Sequence, residues 1–195
     1  NEAEFLHELK GRTAKIIAAA SLYHWNSSAV SETAALYPEM TVREIPIELS
    51  GREVNAMLEH SYEKCLGQAE HIRNIEAFEV LIHGRIPVMQ STQCLKKTTG
   101  HCNKTSEEIW LEDKKGRKLP VTTHCRECYN LIWQDKPYNL IGEDLTGSIP
   151  YVTRHRFDLF HMSEKEIKEM KDRYLIWQEN HFMCDLQKDD TEHHW

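Results

Sequence analysis

Four of the six cysteines fall in the pattern Cys94-x7-Cys102-x22-Cys125-x2-Cys128. Thiolates are the preferred protein ligands of zinc and of iron–sulfur clusters, and four of them complete either kind of site. Their neighbours Lys96, Lys97, His101, His124 and Arg126 make a polar, basic setting, in which thiols packed as small hydrophobes are unexpected. In a reducing compartment such cysteines stay free or bind metal rather than pair with one another. Spacing alone does not separate zinc from a cluster. Cys65 lies on the apolar stripe of an expected helix and is read as core, and Cys184 near the end carries no assignment.

A second set consists of polar residues at the carboxyl ends of expected strands: Glu48, His83 with Arg85, and Arg156 with Asp158. In parallel α/β folds ligands bind at that edge, because strand ends are rigid and the loops after them vary. Arg85 and Arg156 could hold a carboxylate or phosphate by bidentate hydrogen bonds, with Glu48 or Asp158 handling protons. An internal ion-pair network, Arg156 with Asp158 or Glu48, accounts for the same residues without a ligand. The chain has no H-E-x-x-H, G-x-S-x-G, G-x-x-x-x-G-K-[ST] or G-x-G-x-x-G, so zinc-peptidase, serine-hydrolase, P-loop and dinucleotide chemistries have no motif to rest on.

These groups need elements to hold them. Residues 14–23 read as a strand, Asn26 to Ser28 as helix caps, and 28–37 as a short helix. Residues 41–49 form a second strand candidate broken by Pro46. Ser50 and Glu53 then have the spacing of a capping box, and apolar residues at helical spacing run from Val54 towards Asn74. Residues 78–82 are a third strand, followed by a loop containing Pro87. Within the polar, Cys-rich stretch 91–134, EEIWLED and RKLPVTT flank KKG as a β-hairpin, which brings Cys102 and Cys125 together at its base. Residues 138–149 read equally as short helix or loop. Residues 151–160 alternate as a strand, with Arg154, Arg156 and Asp158 on one face. A second capping box, Ser163 with Glu166, opens a helix through about Gln178, and residues 183–195 read as a solvated tail.

Strands that alternate with helices indicate parallel α/β architecture. A closed (β/α)8 barrel takes about 250 residues, so 195 residues hold only part of one. The expected organisation is partial barrel units over 1–90, a Cys-rich hairpin insertion over 91–134, the final strand and helix over 135–182, and the tail. Because Asn1 is not a methionine, the chain is expected to be a fragment whose barrel is completed by a longer chain or a second copy. The charge balance, 24 basic against 31 acidic residues for a net −7, argues against a surface whose main task is coating nucleic acid. With no apolar run of membrane length and no signal-peptide pattern at Asn1 to Lys10, a soluble, cytoplasmic protein is expected.

Several segments together resemble one family: LYHWN (22–26), IELSGREV (47–54), EVLIHGRIPVMQSTQC (79–94), LEDKKGRKLPV (111–121), HCRECYNLI (124–132) and RHRFDLF (154–160). Over residues 14–173 the chain is similar to the C-terminal half of the conserved domain of the U32 family, the collagenase-like peptidases. The resemblance implies a TIM-like barrel whose first strands lie outside this chain, and a 4Fe-4S cluster held by Cys94, Cys102, Cys125 and Cys128. The family name implies peptidase activity. Its better understood members are oxygen-independent hydroxylases of RNA bases or of small aromatic quinone precursors, some of which depend on prephenate. A non-catalytic module with a structural zinc site is the remaining alternative. A cluster supplies the redox chemistry that hydroxylation needs, whereas proteolysis needs an activated nucleophile or an open metal site.

Overall fold

A computed structural model describes residues 15–68, 75, 77–142 and 152–189. The chain divides into two compact units, Asn1–Ile82 with Ile141–Phe157 and Glu169–Trp195, and His83–Leu140 with Asp158–Lys168.

The first unit is built on parallel strands β1 (Ile16–Ala18), β2 (Met40–Glu44) and β3 (Ala77–Gly84), in that order, with β9 (Val152–Phe157) pairing with β3. Helix α1 (Ser27–Leu36) starts where the Asn26 side chain accepts the Ala29 N–H at 2.9 Å. Helix α2 (Gly51–Gln68) starts at the Ser50 and Glu53 capping box, in which Glu53 takes the Ser50 N–H at 2.8 Å. Both ends satisfy backbone donors that the first turn would otherwise leave open. Val30 from α1, Val54, Met57 and Leu58 from α2, Phe78 from β3 and Ile45 just after β2 form one buried cluster. The aliphatic spacing read from the sequence therefore faces the sheet. The long helix α4 (Glu164–Asp189) carries Tyr174 and Trp177 against His155 and Phe157 of β9, with ring centroids 4.7 to 5.9 Å apart.

The sheets are open and no closed barrel forms among the described residues, so the architecture is mixed α/β. The pairs β1–β2 and β2–β3 are parallel, as in the repeat of a barrel. The 14–23 run becomes a three-residue strand and a 3-10 turn at Ala20–Leu22, and the second strand stops at Glu44, two residues before Pro46. Pro46 has no N–H to donate to a ladder. The second helix is described only as far as Gln68, so its expected continuation to Asn74 lies outside the described residues. The last helix runs eleven residues past Gln178, through part of the expected tail, to Asp189.

The second unit is an antiparallel sheet in the order β4-β7-β6-β5, with β4 (Pro87–Ser91), β5 (Glu108–Glu112), β6 (Lys118–His124) and β7 (Tyr129–Trp133). The expected hairpin is β5 with β6. Its turn is held by Asp113, whose carboxylate accepts the Lys115 and Arg117 N–H groups at 2.8 and 2.9 Å, while Gly116 takes the left-handed backbone that closes it. The Pro87 segment, expected as a loop, is a strand pairing with β7. It is an edge strand, where proline is tolerated. A four-residue helix, α3 (Leu95–Thr98), follows it, and a two-residue strand, β8 (Tyr138–Asn139), pairs with His83 and Gly84. No helix among the described residues is long and apolar enough to cross a membrane.

Candidate metal centre

Antiparallel pairing in the order β4-β7-β6-β5 brings the end of β4, the start of β7, the end of β6 and the start of β5 to one edge of the sheet. All four cysteines lie in the connections at that edge. Cys94 follows β4 and precedes α3, Cys125 follows His124 at the end of β6, and Cys128 precedes Tyr129 at the start of β7. Cys102 sits in the loop that enters β5, and that loop is tied to Cys125: the Cys125 N–H donates to Ser106 Oγ at 3.0 Å and its thiol to the Thr105 carbonyl at 3.0 Å. The tight turn from Cys125 to Cys128 closes with Cys128 in the left-handed region, φ 56°, which is uncommon for a residue with a side chain. His124 and Tyr129 flank that turn with stacked rings, centroids 4.3 Å apart.

All four thiols are free, Cys102 and Cys128 exposed and Cys94 and Cys125 half-buried. Each of the two turn thiols uses a local acceptor, Thr105 for Cys125 and, at 3.7 Å, the Cys125 carbonyl for Cys128. Among the described residues no three His, Cys, Asp or Glu side chains are gathered closely enough to hold a metal ion. The donor chemistry and the shared edge fit a thiolate-bound metal; the side-chain directions do not converge.

Lys96, the second residue of α3, is 4% exposed. Its ammonium donates to Asn103 Oδ1 and, at 2.8 Å, to the Thr105 carbonyl, and pairs with Glu107. The Glu107 contact raises its pKa. The sequence placed Lys96 only as a basic neighbour of the cysteines; its burial follows from the 103–107 loop folding over α3, which no local pattern announces.

The strand-end set separates. His83, Arg85 and Asp158 meet in the second unit: the Asp158 N–H donates to the His83 carbonyl at 2.8 Å, and Gly84 lies against the Asp158 backbone. His83 Nδ1 faces Asn139 Oδ1 at 3.0 Å, leaving Nε2 buried and without a hydrogen bond. Arg85 donates from Nη1 to the carbonyls of Gln134 and Asp135 at 2.8 and 2.6 Å. Glu166, recognised in the sequence only as a cap, stands in the field of both. The Ser163 hydroxyl and N–H, and then the charges of Arg85 and His83, hold its carboxyl below the usual value. Arg156 lies in the first unit and pairs with the buried Glu44, which also accepts the Ala20 N–H at 3.0 Å. Glu44 is a carboxylate that the sequence did not assign to Arg156, while Glu48 is exposed in the turn after β2.

One further row of groups was not legible: His161 has Nδ1 2.9 Å from Glu108 Oε1 and Nε2 3.3 Å from Thr122 Oγ1. The carboxylate lies off the N–H direction and the Thr122 hydroxyl already accepts the Trp133 indole N–H at 3.0 Å. The row thus ties residues 158–163 to the sheet rather than presenting an oriented nucleophile.

Comparison with known protein families, with curated proteins and with solved structures finds no match.

Proposed function

We propose that the His83–Leu140 unit is a metal-binding module in which Cys94, Cys102, Cys125 and Cys128 together hold one metal centre. The observation that carries this reading is the shared edge. Four thiols separated by up to 22 residues in sequence lie in the connections at one end of four hydrogen-bonded strands. Isolated half-exposed thiols have no reason to cluster in this way, whereas a site that couples metal binding to folding does.

The resemblance to the U32 family makes the centre an iron–sulfur cluster in an oxygen-independent hydroxylase of RNA bases or of a small aromatic precursor, with the α/β unit forming part of a larger TIM-like barrel. A cluster supplies electron transfer; the protein's contribution at this edge is four thiolates and the basic residues around them. A structural zinc site in a non-catalytic module is the second reading. It is favoured by the two arginines expected to receive an anionic co-substrate, since Arg85 is bound to two carbonyls and Arg156 to Glu44.

Anaerobic purification followed by iron, acid-labile sulfide and zinc analysis tests both. Iron with matching sulfide supports the redox reading and stoichiometric zinc the structural one. Cys94→Ser, Cys102→Ser, Cys125→Ser and Cys128→Ser should each lower the metal content. Protein that carries no metal after anaerobic reconstitution with iron and sulfide or with zinc removes the proposal.

A further inference from the structure

The geometry points to Lys96 as the positioning residue that preassembles the cysteine edge. This inference rests on the four-cysteine metal reading and assigns to one side chain the task of holding its two halves together. Cys94 enters through α3, and Cys102 and Cys125 through the 103–107 loop and the end of β6. Among the described residues no strand pairing joins α3 to that loop; beyond the His101 N–H bond to the Lys96 carbonyl at 2.8 Å, the link is the Lys96 side chain, whose ammonium leaves α3 and takes acceptors from Asn103, Thr105 and Glu107. Asn103 Oδ1 is itself fixed by the Thr105 N–H at 3.1 Å, and Thr105 offers the carbonyl that holds the Cys125 thiol. The contacts therefore run from α3 through one buried cation to the segment carrying Cys102 and to the Cys125 sulfur.

Two features separate this from ordinary packing. A lysine is almost never fully buried unless paired, and here three polar partners converge on the ammonium from residues 103–107 alone. Its charge also lies within electrostatic reach of the Cys125 and Cys102 sulfurs. Four thiolates around a divalent ion or a cluster carry net negative charge, which a fixed neighbouring cation stabilises most where solvent is excluded. Lys96 thus both orders the loop and offsets the charge the site acquires when loaded.

The test uses the full chain, reduced and stripped of metal, titrated with Co2+ at fixed pH while thiolate-to-cobalt charge-transfer absorption is followed. Wild type should develop the band at one equivalent. Lys96→Met should need roughly 10–100-fold more free Co2+, the range typical of lost outer-shell partners, and Lys96→Arg, which keeps the cation, should bind more tightly than Lys96→Met. Asn103→Ala changes an exposed residue and leaves the charge in place, so it keeps the test open if Lys96→Met does not fold; its affinity should fall by several-fold. Affinities of Lys96→Met, or failing that of Asn103→Ala, within about twofold of wild type would overturn the assignment while leaving the metal reading intact. Wild type that shows no charge-transfer band and takes up neither iron with sulfide nor zinc on anaerobic reconstitution would remove the metal reading itself.

Discussion

Gly84 ends β3 against the backbone of Asp158, and an alanine there should destabilise the protein by about 3 kcal/mol, the upper part of the usual overpacking range. A Cβ at this position would stand 2.6 Å from Asp158 Cβ, 3.0 Å from its carbonyl oxygen and 3.2 Å from its Cα. Carbon atoms pack best at about 3.5–4.0 Å, so the nearest contact is roughly 1 Å too short. Side-chain rotation cannot relieve it, because the opposing atoms are a Cβ and main chain, and the Asp158 N–H is bonded to the His83 carbonyl at 2.8 Å. Separating the two segments would break that bond. Urea unfolding followed by tryptophan fluorescence gives the free energy, and a thermal scan should show a midpoint lowered by about 6–12 °C for a chain of this size. Asp158→Gly in the Gly84→Ala background removes the 2.6 Å contact but not the other two, so it should restore roughly 1–2 kcal/mol, measured as the coupling in a double-mutant cycle. Gly84→Ala protein as stable as wild type would show that the two segments do not meet as described.

Two further outcomes follow from buried charge in the first unit. Burial, and then the charge of Arg43, lower the His24 pKa from 6.5 to about 4, so the unfolded chain binds the extra proton first as pH falls. The stability of neutral His24 is fully present above pH 6.5 and is lost towards pH 4; about 2.5 units at about 1.4 kcal/mol each gives roughly 3 kcal/mol. Burial of His155 acts in the same direction. His24→Gln should therefore flatten the fall in unfolding free energy between pH 6.5 and 4.5, and an identical slope in wild type and variant would refute the assignment. Arg156 is 37% exposed while Glu44 is buried, so Arg156→Met strands a carboxylate and should cost about 2–3 kcal/mol by urea unfolding. Adding Glu44→Gln should recover part of that loss, and a simple sum of the two single effects would argue against the pair.

What could be read from the sequence was local. The capping boxes at Ser50 and Ser163 form as their spacing requires, and the β5–β6 hairpin follows from two alternating segments around Lys114-Lys115-Gly116. Strand β4 escaped because four of its five residues are exposed, so it shows no alternation between buried and exposed positions, and Pro87 pointed to a loop. Strand β7 was hidden between the cysteine turn and a polar segment. The partners of the ionisable residues were the least accessible: Arg156 reaches Glu44 across more than a hundred residues, and Arg85 reaches the Gln134 and Asp135 carbonyls across about fifty. Such pairings are fixed by tertiary packing rather than by any local preference.

The cysteine spacings acquire a structural meaning once the strand order is known. In an antiparallel sheet a chain leaving one edge must run to the far edge and back before it can return there. The 22 residues between Cys102 and Cys125 are that excursion: a short entry loop, β5, the Asp113–Gly116 turn and β6. The two residues between Cys125 and Cys128 are the tight turn that starts the next strand at the same edge, and the seven between Cys94 and Cys102 include α3, which stays beside it. Each interval is thus what it takes to come back to one place. Random cysteines in a polar segment would be as often found at the opposite edge, by Gly116, as at this one. Lys96 is the complementary feature, a cation whose acceptors all lie in the entry loop, so that charge adds to the hydrogen bonds of Asn130 with Gln93 and of His101 with Lys96 in holding the connection from β4 to β5.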